Sequence, residues 1–513
     1  MEGEAAVVDV YASARGDLLP PSPGPARSAA PAAAAGGAEA TARPPARGEG
    51  GGDGVPTPRR GAVVTLYRLS YSVRDWGRWW PRARPPRCLV GSATGTLRPG
   101  RMAALMGSSG VGKTTLLDVI ARRKGPGTGV KGLVLFDGCV PGGGEVSRDV
   151  AYVEQRAALW EAFTVAEMLL FTARLKMPSA RHSLPEKAAR VDEVIDRLGL
   201  RKARRSKLHR VSGGEAKRVS IALALLTDPR VTLFDEPTSG LDSAISLDVM
   251  SQVRTLADEG RTVLVAIHQP SGEVFDLFSD LILLSSNTET KAGEVAYWGP
   301  AGEGVQGYFA ALGCAYDSRT RASLPEFLLS IVSGGAAGPG PAGLSAAYRG
   351  SALCRANEAA AEGLVAVLGA RAPGAKAART GGTGSEAVHA NYLLEEVGTL
   401  TSFKFRVCWR DPHFVVSRVA LYLALAVVFV SFFAPGARTP MELATSVAII
   451  FLTVFTQAGL TLLYIPRLKA DEAAFFRESH DACYRPFSYA AATAVVEVCE
   501  RSCAGARIAT TKD

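Results

Sequence analysis

The nonapeptide GSSGVGKTT, Gly107 to Thr115, sets glycines, a lysine and two threonines at the spacing G-x-x-x-x-G-K-[ST]. That pattern suits the binding of a triphosphate. Backbone N–H groups at Gly107, Ser108, Ser109, Gly110 and Gly112 can curl around a β-phosphate as a nest. Lys113 can reach the β and γ oxygens, and the Thr114 hydroxyl can ligate Mg²⁺, with Thr115 beside it. Further on, VTLFDEP runs four apolar or β-branched residues into Asp235 and Glu236. An aspartate ending a buried strand beside a phosphate loop holds Mg²⁺, usually through water. The neighbouring Glu236 is placed to polarise an attacking water as general base. These two stretches together indicate a nucleoside triphosphate bound with Mg²⁺.

Three other stretches carry weaker chemistry. His268 ends the apolar run TVLVAIHQP, and Gln155 ends AYVEQ; neither signals a role by itself. RVSGGEAKRVSIAL opens a helix with Ser212, Gly213 and Gly214. Glycine is costly inside a helix, but at its start it leaves N–H groups free for an anion. The phosphate loop already occupies another part of the chain, so the anion for this second helix start is left open.

The elements that must position these residues are legible as alternation. Short apolar runs, several bounded by Gly or Asp (RMAALMG, LVLFDG, VTLFDE, TVLVAIHQ, DLILLS), are separated by helical patterns such as KTTLLDVIARR and DVMSQVRTLADEG. This predicts an α/β core with a largely parallel sheet over residues 62–332. Residues 1–60 are rich in Ala, Gly and Pro and nearly devoid of large apolar side chains, which predicts a disordered tail. Residues 333–390 read as a low-complexity linker, partly helical and partly flexible.

The segment 391–513 differs in texture. Two uncharged apolar runs, about 414–434 and 443–465, have the length and composition of membrane spans, with a partial third at about 487–499. Lys404, Arg406, Arg410 and Arg418 precede the first run; Arg467, Lys469 and Arg477 follow the second. The intervening loop carries only Arg438, so both basic flanks are expected on the cytoplasmic side. A net charge of +9 and a pI near 9.2 invite a nucleic-acid reading, but the cations are scattered without interleaved aromatics, and no nucleic-acid partner is expected. Eight cysteines without CxxC pairs argue against a zinc site or a disulfide framework and for free thiols in a reducing compartment. The N-terminus has no secretory signal.

GSSGVGKTTLLD, Gln155, VSGGEAKRVSIALALLTDP, LFDEPTSGLDS and AIHQPS occur in the order and approximate spacing of the nucleotide-binding domain of ATP-binding-cassette (ABC) transporters. The resemblance runs from Thr65 to about Trp298. It is greatest to the G subfamily, the white/pleiotropic-drug-resistance group, in which the nucleotide domain precedes the membrane domain. The implied fold is an ABC-type P-loop NTPase followed by an α-helical transmembrane domain, here incomplete.

The resemblance also implies roles. Two nucleotide domains close head to tail, so Ser212, Gly213 and Gly214 would face ATP held by the other domain's Lys113. Asp242 in SGLDS would sit at the seam. Gln155 would touch Mg²⁺, and His268 would hold the γ-phosphate. TSFKFRVCWRDPHFVV resembles the family's connecting helix on the cytoplasmic membrane surface. The implied cofactors are ATP and Mg²⁺. The implied partners are a second ABC nucleotide-binding domain, as homo- or heterodimer, a lipid bilayer, and a hydrophobic small-molecule substrate: a lipid, sterol or amphipathic xenobiotic. The expected location is multi-pass in a membrane, with the nucleotide domain cytoplasmic. Family members have six spans, and the polar CERSCAGARIATTKD departs from them. A chain truncated in its membrane domain is therefore expected. An alternative is a membrane-tethered ATPase or regulatory subunit without transport of its own, and another is a soluble ABC ATPase acting in translation or DNA repair.

Overall fold

The computed structural model describes residues 61–73, most of 86–371, 391–410, residue 427 and 465–496. Nine strands form one sheet: β1 (Val64–Val73), β2 (Arg87–Leu97), β3 (Met102–Gly107), β4 (Val130–Phe136), β5 (Val150–Val153), β6 (Val231–Asp235), β7 (Thr262–Ala266), β8 (Asp280–Ser286) and β9 (Gly293–Pro300). Their order is β4-β1-β2-β9-β8-β3-β7-β6-β5. The stretch β8-β3-β7-β6-β5 is parallel, as the alternating pattern predicts. Most of the rest is not. β1 pairs antiparallel with both β2 and β4, and β9 pairs antiparallel with β8. The sheet is therefore mixed, with five of its eight strand pairings parallel, as expected of its central strands. Only six residues separate β8 from β9, too few for the crossover of about a dozen or more that a parallel pairing needs.

Around the sheet run α1 (Lys113–Ile120), α2 (Val165–Lys176), α3 (Leu184–Arg197), α4 (Gly213–Leu225), α5 (Ser243–Asp258), α6 (Gly272–Phe275), α7 (Glu303–Ala311) and α8 (Leu324–Val332). β3 shows why both faces must be covered. Met102, Ala104 and Met106 enter one core with α2 to α5, while the alternate Ala103 and Leu105 enter a second core with α1, β1 and β2. Period-two alternation with both sets apolar is the mark of a central strand buried on both sides.

Beyond Val332 the segment expected as a partly helical linker carries two helices. α9 (Gly340–Gly350) and α10 (Ala352–Arg371) pack on β1, β2, β8 and β9. The Asn357 amide donates to Trp298 O and to the Tyr348 hydroxyl, each at 2.9 Å. Ala361 is fully buried against Tyr67, Leu133 and Leu135. Small Ala and Gly side chains, which read as low complexity in the sequence, let this helix lie close to the antiparallel strands. Residues 372–390 lie outside the described residues, as do the expected tail (residues 1–60) and, save Val427 and Ile465, the expected spans 414–434 and 443–465. Among the described residues no helix is long and apolar enough to cross a membrane. Within the expected third span the chain is helical over 486–496, with Ser488, Ala492 and Val496 buried.

α11 (Leu393–Arg410) begins earlier than the expected connecting helix, and one of its faces is packed onto α2. The Phe403 ring stacks on Phe163 and Phe171, with centroids 4.3 and 3.6 Å away. Phe405 and Trp409 project from the other face and are exposed. α12 (Ile465–His480) and the turn after it also dock here. Buried Glu396 of α11 accepts from Arg485 Nη1 at 2.9 Å and from the Ser488 hydroxyl at 2.6 Å.

Two outcomes test this packing. Ala361→Asn places an amide in the sealed cluster and should lower unfolding stability by about 1–3 kcal/mol; a flexible linker would leave denaturant unfolding unchanged. At the other end, Arg410 holds the Glu167 carboxyl at about 2, helped by hydrogen bonds from Thr164. A depressed carboxylate stabilises the fold above its ordinary value near 4.5, and that contribution is lost as pH falls from there towards 2. Thermal melting of the wild type against Glu167→Gln should therefore differ at neutral pH and converge across that window.

Candidate functional site

The site lies where four neighbouring parallel strands end. Leu105 of β3 and Asp235 of β6 both pair with Ala266 of β7, so the three strands are level. Val153 of β5 pairs with Phe234. Gly107 follows Leu105 by two residues, Glu236 follows Asp235 by one, His268 follows Ala266 by two, and Gln155 follows Val153 by two. Four segments that are far apart in sequence thus leave the sheet at one edge, the carboxyl edge where open α/β sheets bind ligands.

The loop after β3 is shaped by left-handed glycines. Gly110 and Gly112 have φ of +76° and +105°, and a Cβ at Gly112 would meet Leu89 O at 3.0 Å. Serine or alanine there would be strained as well as crowded. The loop leads into α1, whose first residue, Lys113, is buried and donates to Gly107 O at 2.9 Å and Ser108 O at 3.3 Å. Burial lowers its pKa, while Glu236 and Asp235 pull it back up. Ser109 and Gly110 are exposed, as is Thr114; Ser108 and Thr115 are half-buried.

Asp235 and Glu236 are adjacent in the chain but differ in setting. Asp235 is buried; its Oδ1 accepts from the Thr114 hydroxyl at 3.1 Å and its Oδ2 from the Tyr152 hydroxyl at 3.3 Å. Burial lifts its carboxyl above the ordinary range; the Thr114 hydrogen bond opposes the shift and the charge of Glu236 adds to it. Glu236 turns away from the strand with a left-handed φ of +46°, anchored by its N–H to Ala266 O at 2.9 Å. Its carboxylate accepts from the Gln155 amide at 2.5 Å. A hydroxyl and a carboxylate oxygen side by side are hard donors of the kind Mg²⁺ takes alongside phosphate oxygens, so Thr114 and Asp235 fit that ion. His268 is half-buried one step along the same edge.

The second glycine-rich helix start has a local explanation that sequence reading missed. Ser212 caps α4 with a capping box: its hydroxyl accepts from Glu215 N at 3.3 Å, and Glu215 returns the bond to Ser212 N at 2.8 Å. Ser212 and Gly213 are exposed, whereas Gly214 is buried against α5. Asp242 caps α5 by accepting from Ile245 N at 2.8 Å, and it too is exposed. Among the described residues no hydrogen bond joins Ser212, Gly213, Gly214 or Asp242 to the loop Gly107–Thr115.

Two residues at the site were not singled out from the sequence. Tyr152 is the second donor to Asp235. Lys217, one turn into α4, is buried and donates to Gln155 O and, at 3.5 Å, to Glu236 O. Only the alternation of AYVEQ, which sets Tyr152 and Glu154 on one face of β5, hinted at the first.

Residues 90–239 match the ABC transporter family. Those residues of the chain therefore carry an ABC transporter domain, and the chain is similar to G-type transporters. It is 36% identical over 286 residues to the broad substrate specificity ATP-binding cassette transporter ABCG2 of Bos taurus, a match covering 55% of this chain and 42% of that protein. It is 35% identical over 277 residues to ABC transporter G family member 14 of Arabidopsis thaliana, covering 53% and 40%. It is 38% identical over 286 residues to ABC multidrug transporter H of Aspergillus fumigatus, covering 54% and 19%. The chain thus spans well under half the length of these relatives.

The Gly214 contact is testable in this ABC domain. A Cβ there would lie 2.5 Å from Ile245 Cγ2. Gly214→Ala should cost about 1–3 kcal/mol by overpacking. Adding Ile245→Ala should recover part of that loss, and urea unfolding of the four proteins in the cycle measures it.

Proposed function

We propose that this chain is the ATP-binding and ATP-hydrolysing subunit of a G-type ABC transporter. It would couple hydrolysis to transmembrane export of a lipid, sterol or amphipathic xenobiotic, in concert with a second ABC nucleotide-binding domain. The observation that carries the proposal is the level ending of β3, β7, β6 and β5. It sets phosphate loop, acidic pair, His268 and Gln155 on one edge. The matching of G-type transporters over the same domain supports the choice of family.

In this mechanism the loop Gly107–Thr115 wraps the β-phosphate with its N–H groups. Lys113 exchanges the carbonyls of Gly107 and Ser108 for β and γ oxygens, an exchange helped by its burial because a desolvated ammonium gains most from an anionic partner. Thr114 and Asp235 would hold Mg²⁺, which when bound neutralises charge on the β- and γ-phosphates. Glu236 takes the proton of the attacking water. Its left-handed backbone keeps the carboxylate clear of the strand, and Gln155 fixes its orientation. His268 supports the γ-phosphate from β7.

The exposed Ser212 and Gly213 and the cap residue Asp242 would meet the ATP and the seam of the second nucleotide domain. A capped helix start presents N–H groups and partial positive charge to a phosphate arriving from outside the subunit. Closure of the pair would then move the membrane segments through α11 and the turn after α12, the elements docked on α2. The cytoplasmic placement of the nucleotide domain and the multi-pass membrane location belong to the same proposal.

Glu236→Gln separates these steps. ATP binding should persist while phosphate release falls by about 10²–10⁴-fold. In the presence of ATP and Mg²⁺ this variant should also elute as a pair of nucleotide domains, and adding Ser212→Arg should return it to single units. Retention of hydrolysis in Glu236→Gln, or pairing that ignores Ser212→Arg, would sink the proposal.

A further inference from the structure

Asp235 is held at both carboxylate oxygens, by Thr114 on the phosphate loop and by Tyr152 on β5. Tyr152 has a second engagement on its ring. The Arg123 guanidinium lies over it, 4.0 Å from the centroid. Arg123 in turn spends its two terminal nitrogens on two acids: Nη1 donates to Glu154 at 2.6 Å and Nη2 to Asp481 at 2.8 Å. The other oxygen of Asp481 accepts from Lys176 of α2 at 2.8 Å. Asp481 belongs to the turn after α12, outside the region matched to the ABC family. Two side chains, Arg123 and Tyr152, therefore span from that turn to the acid at the end of β6.

We infer that Tyr152 is a positioning residue that fixes the orientation of the Asp235 carboxylate and makes it depend on whether the turn at Asp481 is docked. The inference rests on the proposed assignment of Asp235 to the metal. Its physical basis is that a carboxylate held at one oxygen can swing about its last bond, whereas one held at both cannot. A hydrogen bond from a phenol to an ionised acid is of the stronger, charge-assisted kind. Arg123 seats the ring by a cation–π contact. Without Asp481 it would keep only the Glu154 partner, and a cavity of about 400 Å³ beside Arg123, Tyr152, Glu154 and Asp481 gives it room to leave the ring.

This line is distinct from Gln155, which bonds Glu236 rather than Asp235. Contact alone does not establish coupling, and a double-mutant cycle is the direct measure. The probe is Mn²⁺, followed by electron paramagnetic resonance on the full chain saturated with a non-hydrolysable ATP analogue. Tyr152→Phe keeps the ring and removes only the hydroxyl. It should weaken Mn²⁺ binding about three- to tenfold, the scale of about one hydrogen bond, while metal-free binding of the analogue stays unchanged and reports an intact fold. Asp481→Asn should weaken Mn²⁺ binding by a smaller factor in the wild type and by none in Tyr152→Phe. Arg123→Lys, which keeps the charge but loses the flat face, should reproduce that pattern.

Wild-type Mn²⁺ affinity in Tyr152→Phe, or effects of Tyr152→Phe and Asp481→Asn that simply add, would overturn the inference while leaving the metal assignment standing. Loss of Mn²⁺ binding only in Thr114→Ala or Asp235→Asn would be that outcome. If those two variants bind Mn²⁺ as the wild type does, the metal assignment itself is wrong, and the inference falls with it.

Discussion

The parallel register that joins Leu105, Ala266 and Asp235 across β3, β7 and β6 is the constraint from which the site follows. Side chains alternate faces along a strand, so a slip of one residue in any of the three would turn its terminal group to the opposite face. The phosphate loop, the acidic pair and His268 would then no longer share an edge. Register is held from both sides. Met102, Ala104 and Met106 fill one core and Ala103 and Leu105 the other, so β3 has no solvent-facing side on which a shifted pairing could be tolerated.

Burial at the ends of these strands creates electrostatic tension that the site uses. Lys113 and Asp235 are both taken largely out of water, which disfavours the charge on each. Each is partly compensated by hydrogen bonds, Lys113 by loop carbonyls and Asp235 by two hydroxyls. Groups so placed have more to gain from a charged ligand than they would in water, because the cost of desolvation has already been met in folding. Glu236, one residue beyond, escapes the strand through a left-handed backbone and stays within reach of solvent and of Gln155.

The outer elements extend this logic beyond the sheet. α9 and α10 cover the antiparallel strands, and α11 with the turn after α12 covers α2. The second contact is aromatic at its centre, through Phe403, and charged at its border, through Glu167 and Arg410, while buried Glu396 ties α11 to Arg485 of the turn. Borders of that kind give orientation more than affinity. In the proposed transporter they would suit a joint between the nucleotide domain and the segment that follows α11.

The proposed chemistry of the domain is legible in the amino-acid sequence because its parts are contiguous. GSSGVGKTT and LFDE each carry several functional groups within one turn or strand end, and the strand–helix alternation placed them on a P-loop core. The chain alone could not show that Gly214 is small to admit Ile245, or that an Ala- and Gly-rich stretch would pack as α9 and α10. Nor could it reveal that Tyr152 and Lys217 close on the acidic pair. Each of these joins residues well separated in sequence, through register and helix packing that local periodicity does not encode. Sequence determined which atoms are available for phosphate chemistry; the tertiary structure decided which of them meet, because only the completed sheet brings four strand ends to one level.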